Sequence, residues 1–255
     1  SPCPRQMGCC ETKDAMATTI DEVEAGTHEH EHLEDNVMPA PLELGALEKE
    51  TYYRRALEYR ETNLGAYHRD TLATLNNLAQ LLQEMGQYSE AEVLCRRAMA
   101  GREQTMGCDH PCTLTSVTSL SSVLQAMGRH QEAEPLARRA AEGQEKCMGA
   151  SHPQTLTCVS HLAMLLQTMG RHSESESLCR RVLEDSEKVL GPDHPDTLTY
   201  ANNLAVQLKA MGKHQEAETL HRRALDGRER TLGPTHRHTL TSLNNLALLL
   251  QAMGR

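Results

Sequence analysis

The sequence predicts an all-α solenoid of antiparallel helix pairs, and three observations carry that expectation. Met-Gly recurs every 42 residues, at Met85-Gly86, Met127-Gly128, Met169-Gly170, Met211-Gly212 and Met253-Gly254. A paired arginine keeps the same interval, at Arg54-Arg55, Arg96-Arg97, Arg138-Arg139, Arg180-Arg181 and Arg222-Arg223. Phe and Trp are absent and aromatics make up 2%, so Leu, Ala, Val and Met must fill the interior, which suits closely packed helices. A fixed period in this range marks units too small to bury their own apolar faces, each stable only when stacked on its neighbours. Function in such an array lies on a long surface more often than in a closed pocket.

Taken in order, residues 1–45 differ in kind from the rest. They hold ten acidic and two basic side chains, Pro2, Pro4, Pro39 and Pro41, and no sustained apolar period. This composition predicts a largely irregular, extended or disordered acidic arm, with at most a short helix around 18–25. The array, 46–255, then opens with a helix of one type, B, at about 47–64. Four A–B pairs follow from about 69 to 232, and a final A helix at about 237–253. Type A is clearest where Pro195 sits in a first turn and Gly212 follows the last residue, so residue chemistry specifies both ends. Its apolar stripe is Leu72, Leu75, Leu78, Leu82 and Met85, and small residues such as Ala79, Ala163, Ala205 and Ala247 admit close neighbours. Type B begins after a Gly-Arg-His or Gly-Lys-His turn, carries a stripe such as Ala217, Leu220, Ala224 and Leu225, and closes at Leu232-Gly233. Because the array starts and stops in mid-unit, its last helix is expected to expose leucines such as Leu246 and Leu250. Further chain or another protein, in an end-to-end contact, would cover them.

Charge narrows the function classes. The net charge is −9, but outside the first 45 residues 24 basic side chains meet 25 acidic ones, so the array is nearly neutral. It lacks the clustered basic face that neutralises phosphates, which argues against a nucleic-acid partner. No apolar run approaches the length of a membrane span, which argues against direct membrane insertion. Nine cysteines without a CxxC pair suit a reducing compartment, either the cytoplasm or an organelle entered with loss of a transit segment.

Candidate chemical groups have bland readings that outweigh the sharp ones. His68, His110, His152, His194 and His236 fall at one repeat position beside the start of helix A, and are expected to serve as turn or capping elements. His130, His172 and His214 form a second such series in the A–B turn. Cys108, His110 and Cys112 form a compact cluster, and Cys3, Cys9, Cys10, His28, His30 and His32 another, but neither has standard zinc spacing, so no metal is expected. The arginine pairs lie among Glu90, Glu92, Glu132 and Glu134 at helical spacings, which predicts a solvated, salt-bridged convex face. Cys95 and Cys179 are read as small packing residues. No Gly-rich phosphate loop, catalytic triad order or carboxylate pair emerges, so neither an enzyme nor a cofactor is expected.

The phrase Thr-Leu-x-x-Leu-Asn-Asn-Leu-Ala at 71–79 and 239–247, followed by Gly, then Glu-Ala-Glu-x-Leu-x-Arg-Arg-Ala and Leu-Gly-x-x-His-Pro, resembles the 42-residue tetratricopeptide repeats of kinesin light chains. The resemblance covers roughly 47–255. The heptad-rich segment by which kinesin light chains join their heavy chains is missing. The resemblance implies a right-handed superhelix whose concave wall, built from the A helices, binds peptides or partner segments. Carried over residue by residue, it places Asn76, Thr118, Ser160, Asn202 and Asn244 on that wall. Asn77, Asn203 and Asn245, with Ser119 and His161 at the same position, lie beside them. One turn on come Gln80, then Gln83 and Lys209. An asparagine or glutamine amide can pair with an extended peptide backbone whatever its sequence. The two middle units lack the Asn-Asn pair, which predicts two separated polar patches. With Lys209 nearly alone among cations, binding of acidic peptides is expected to be weak. The array is thus expected to be an interaction module or adaptor, with a structural subunit of a larger assembly as the alternative.

Overall fold

A computed structural model describes residues 45–255. The expectations for the acidic arm, including its cysteines and histidines, lie outside the described residues. Among the described residues ten helices follow one another: α1 (Ala46–Asn63), α2 (Arg69–Glu84), α3 (Tyr88–Met106), α4 (Pro111–Ala126), α5 (His130–Met148), α6 (Pro153–Thr168), α7 (His172–Val189), α8 (Pro195–Ala210), α9 (His214–Leu232) and α10 (Arg237–Ala252). No strand occurs among the described residues. Even-numbered helices are type A and odd-numbered ones type B. Each helix packs on the next, and each A helix also meets the following A helix, so the A helices form one continuous wall.

The recurring histidine opens every A helix. His68, His110, His152, His194 and His236 occupy the N-cap, and in each the Nδ1 atom accepts a hydrogen bond from the backbone N–H two residues on, at 3.1–3.3 Å. An imidazole thereby does what Ser or Asp usually does, satisfying a first-turn donor with no helical partner. The Met-Gly pair closes the same helices. In α2 the Gly86 N–H donates to the Gln83 carbonyl and the Gln87 N–H to the Leu82 carbonyl, with Gly86 at φ 78°. That two-bond closure needs a left-handed residue, which explains why glycine follows methionine in each repeat.

Leu72, Leu75, Leu78 and Leu82 of α2 are fully buried, as are their equivalents in α4, and Ala91, Cys95 and Ala98 of α3 complete the layer. Burial pushes the Cys95 thiol up to about 12 and the Cys179 thiol up to about 11, as befits inert packing residues. A Cβ built on Gly143 would lie 2.6 Å from a methyl of Leu114, and Gly227 stands equally close to Leu198. In α3, α5 and α9 a glycine thus lets the B helix rest directly on the first leucine of its partner's stripe.

Exposure on α10 differs from expectation. Leu246 is buried at 5%, whereas Leu240 and Leu243 are each half exposed and Leu248 is 45% exposed. Leu246 repeats the Leu78 position, which faces the preceding helices. Leu240 and Leu243 repeat the positions of Leu198 and Ala201, both fully buried where a B helix follows.

The arginine pairs stitch the B wall. Arg54 bridges Glu50 of its own helix and Glu90 of α3; Arg138 bridges Glu134 and Glu174, and Arg180 bridges Glu176 and Glu216. The second arginine of each pair reaches back to the preceding B helix: Arg97 to Glu61, Arg181 to Glu145, Arg223 to Glu187. These guanidiniums hold Glu90, Glu134, Glu174 and Glu216 below the usual carboxylate range.

Candidate functional site

The A wall encloses an open groove of about 660 Å³ that crosses α2, α4, α6 and α8. Helical geometry sets its lining, because residues three, four and seven apart share a face. On α4 that face is Thr115, Thr118, Ser119 and Ser122; on α6 it is Gln154, Thr157, Ser160, His161 and Met164; on α8 it is Asp196, Thr199, Tyr200 and Asn203. From α2 come Gln80, Gln83 and Glu84, with Tyr88 at the start of α3.

Gln80, Gln83, Thr118, Ser160 and Asn203, expected from the sequence, line this groove. Asn76, Asn77, Asn202, Lys209, Asn244 and Asn245 do not. Asn76 donates from Nδ2 to Ser116 Oγ at 2.9 Å. Asn202, 7% exposed, turns its Oδ1 toward His221 Nδ1 and Asn245 Nδ2, each at 3.1 Å. These amides bond helix to helix. The carried-over position lies where adjacent A helices touch, so its polar side chains meet the next helix before they meet solvent. The groove also runs unbroken through the two middle units, in place of two patches, because Thr118, Ser119 and Ser160 supply hydroxyls where asparagine is missing.

Sequence reasoning missed Thr115, Gln154, Thr157, Asp196, Thr199 and Tyr200. A signal was present: Thr115, Thr157 and Thr199 recur at 42 residues, three positions before Thr118, Ser160 and Asn202.

Hydrogen bonds pre-set much of the wall. Gln83 Nε2 donates to Ser122 Oγ at 2.8 Å, the Tyr200 and Thr157 hydroxyls pair at 3.3 Å, and Asn203 Nδ2 reaches Ser160 Oγ at 3.5 Å. Both ring nitrogens of His161 are covered and have no partner among the described residues, and burial lowers its pKa to about 4, so the imidazole is neutral near pH 7. Glu84 and Asp196 are the two carboxylates of the lining, and no lysine or arginine shares it. No group of three or more His, Cys, Asp or Glu suited to a metal ion occurs among the described residues. No helix among them is long and apolar enough to cross a membrane.

Comparison with known families matches the tetratricopeptide repeat at residues 50–104, 70–146, 115–172 and 200–255, with a second tetratricopeptide repeat profile at 155–196. Among solved structures, the nearly identical TPR-like repeats of a kinesin light chain from Podosopora anserina are 32% identical, with a TM-score of 0.62 over 73% of this chain and 89% of that one. A variant of the same repeats is 31% identical, with a TM-score of 0.62 over 72% and 86%. BtubC (BKLC) from P. vanneervenii is similar in fold, at 19% identity and a TM-score of 0.67 over 83% and 85%. No curated protein matches at a significant level.

Proposed function

Because the chain belongs to the tetratricopeptide repeat family, with repeats of the kinesin light chain kind, we propose that it is a non-catalytic interaction module holding a peptide or partner segment in the groove of its A helices. Repeats of this family bind other proteins, and the open groove across four A helices is the observation that carries the assignment here. Gln80, Gln83, Thr118, Ser160 and Asn203 are its proposed contacts, with Asn77, Lys209 and Asn244 at its margins. Asn76, Asn202 and Asn245 act beneath the surface, holding the wall together. Among the described residues the lining has no serine or cysteine with a histidine base in hydrogen-bond reach, which supports binding over catalysis. The near-neutral array favours a protein partner over nucleic acid.

A second reading, a subunit built permanently into a larger assembly, draws on the half-exposed Leu240 and Leu243 of α10, an apolar patch of the kind that further chain or a neighbouring protein covers. The two readings separate on substitution. Met164→Arg should abolish partner capture from the native source, with the melting temperature unchanged, while Ser177→Arg on α7 leaves capture intact. Loss of partners with Leu243→Arg but not Met164→Arg would instead establish the assembly role.

A further inference from the structure

Among the described residues, those that line the groove carry charge of one sign only. Glu84 and Asp196 stand at diagonally opposite ends of it, at the last residue of α2 and in the first turn of α8. Among the described residues neither has a lysine or arginine within 4.0 Å; Asp196 has only its own capping histidine, at 3.8 Å. A buried cation, Arg228, sits behind Thr199 with its guanidinium committed to Thr199 Oγ1, the His238 carbonyl and Ser242 Oγ. The position of Glu84 is costly: an acid at a helix C-terminus faces the negative end of the helix dipole, and α2 has no basic residue in its last turn to offset it. Two tyrosines, Tyr88 and Tyr200, line the groove, Tyr200 close enough to Asp196 to feel its charge. A carboxylate with an aromatic ring beside it is a combination that takes up ammonium and guanidinium groups.

We propose that the groove takes an extended peptide segment carrying a lysine or arginine at each end of its bound stretch, received by Glu84 and Asp196, with uncharged residues across the hydroxyl-lined middle. This rests on the groove being the binding surface.

The test is a randomised dodecapeptide library, displayed on phage and panned against the full chain, with sequences that also bind the Met164→Arg variant subtracted. The surviving groove-dependent peptides should carry at least two basic residues and no net negative charge. Glu84→Gln with Asp196→Asn should weaken a synthesised survivor by about tenfold and flatten its salt dependence. Glu84→Gln alone should weaken binding without lowering the melting temperature, because it removes an acid from the wrong end of a helix. A purely structural glutamate would not separate those two readouts. Groove-dependent peptides that are acidic, or neutral and indifferent to the double substitution, would overturn the charge assignment and leave the groove reading intact. If no groove-dependent peptide emerges, both fall.

Discussion

Asn202 Oδ1 lies 3.1 Å from His221 Nδ1 and accepts a second hydrogen bond from Asn245 Nδ2 at the same distance, so one amide oxygen ties α8 to both α9 and α10. Since an amide oxygen only accepts, His221 holds its proton on Nδ1. Asn202→Ala should therefore lower stability by roughly 1–3 kcal/mol, the cost of leaving buried donors unpaired. Asn203→Ala, which gives up one 3.5 Å contact at the groove surface, should cost less than about 0.5 kcal/mol. Urea unfolding of the two variants separates them, and equal losses would contradict the assigned roles.

His221 also predicts how stability follows pH. Burial lowers its pKa to about 4, and the charge of Lys209 adds to the shift; burial does the same to His161. Between that value and the ordinary histidine range the unfolded chain binds protons that the folded chain refuses, so stability falls as the solution is acidified through about pH 6.5 to 4. Melting temperatures from pH 7 to 5 should decline less steeply in His161→Gln/His221→Gln than in the parent. An unchanged slope would place the acid sensitivity elsewhere.

The recurring cap gives a smaller and more local effect. His194→Ala removes the acceptor for the Asp196 N–H and should cost about 0.5–2 kcal/mol, while His194→Ser, which restores an acceptor, should recover most of it. If serine fails to rescue, the imidazole ring contributes by packing and not by capping.

The fold was legible because its determinants are local and repeated. His194 with Pro195 starts a helix, Met211-Gly212 ends it, and the leucine spacing between names the buried face. Groove contacts were less legible, because a residue on the A wall can turn toward the cavity or toward the next A helix, and the choice depends on what that helix offers. Asn76 finds Ser116 and turns inward, while Thr118 and Ser160 line the cavity from the same repeat position. Leu246 against Leu243 is the same problem one step removed, since both belong to an apolar stripe but face opposite neighbours.

Two arginines mark how far burial, more than ion pairing, decides what a charge contributes. Arg180 reaches two carboxylates, Glu176 and Glu216, from an exposed position, where solvent screening leaves such pairs worth less than about 1 kcal/mol. Arg228 has no carboxylate partner among the described residues and is 4% exposed, yet it donates to Thr199 Oγ1, the His238 carbonyl and Ser242 Oγ at 2.8–3.1 Å. Burial pushes its pKa down, a sign that the site tolerates the charge more than it rewards it. Arg228→Ala should nonetheless cost roughly 2–4 kcal/mol, because it strands acceptors and opens a void where α9 meets α10. One period after another, the same position holds Gln144 and Ser186, and Gln144 Nε2 donates to the Pro111 carbonyl. Arg228→Gln should accordingly fall between alanine and the parent in chemical unfolding. If Arg180→Ala proved the more damaging substitution, the exposed ladder of the B wall, and not the buried contacts between repeats, would be what holds the array together.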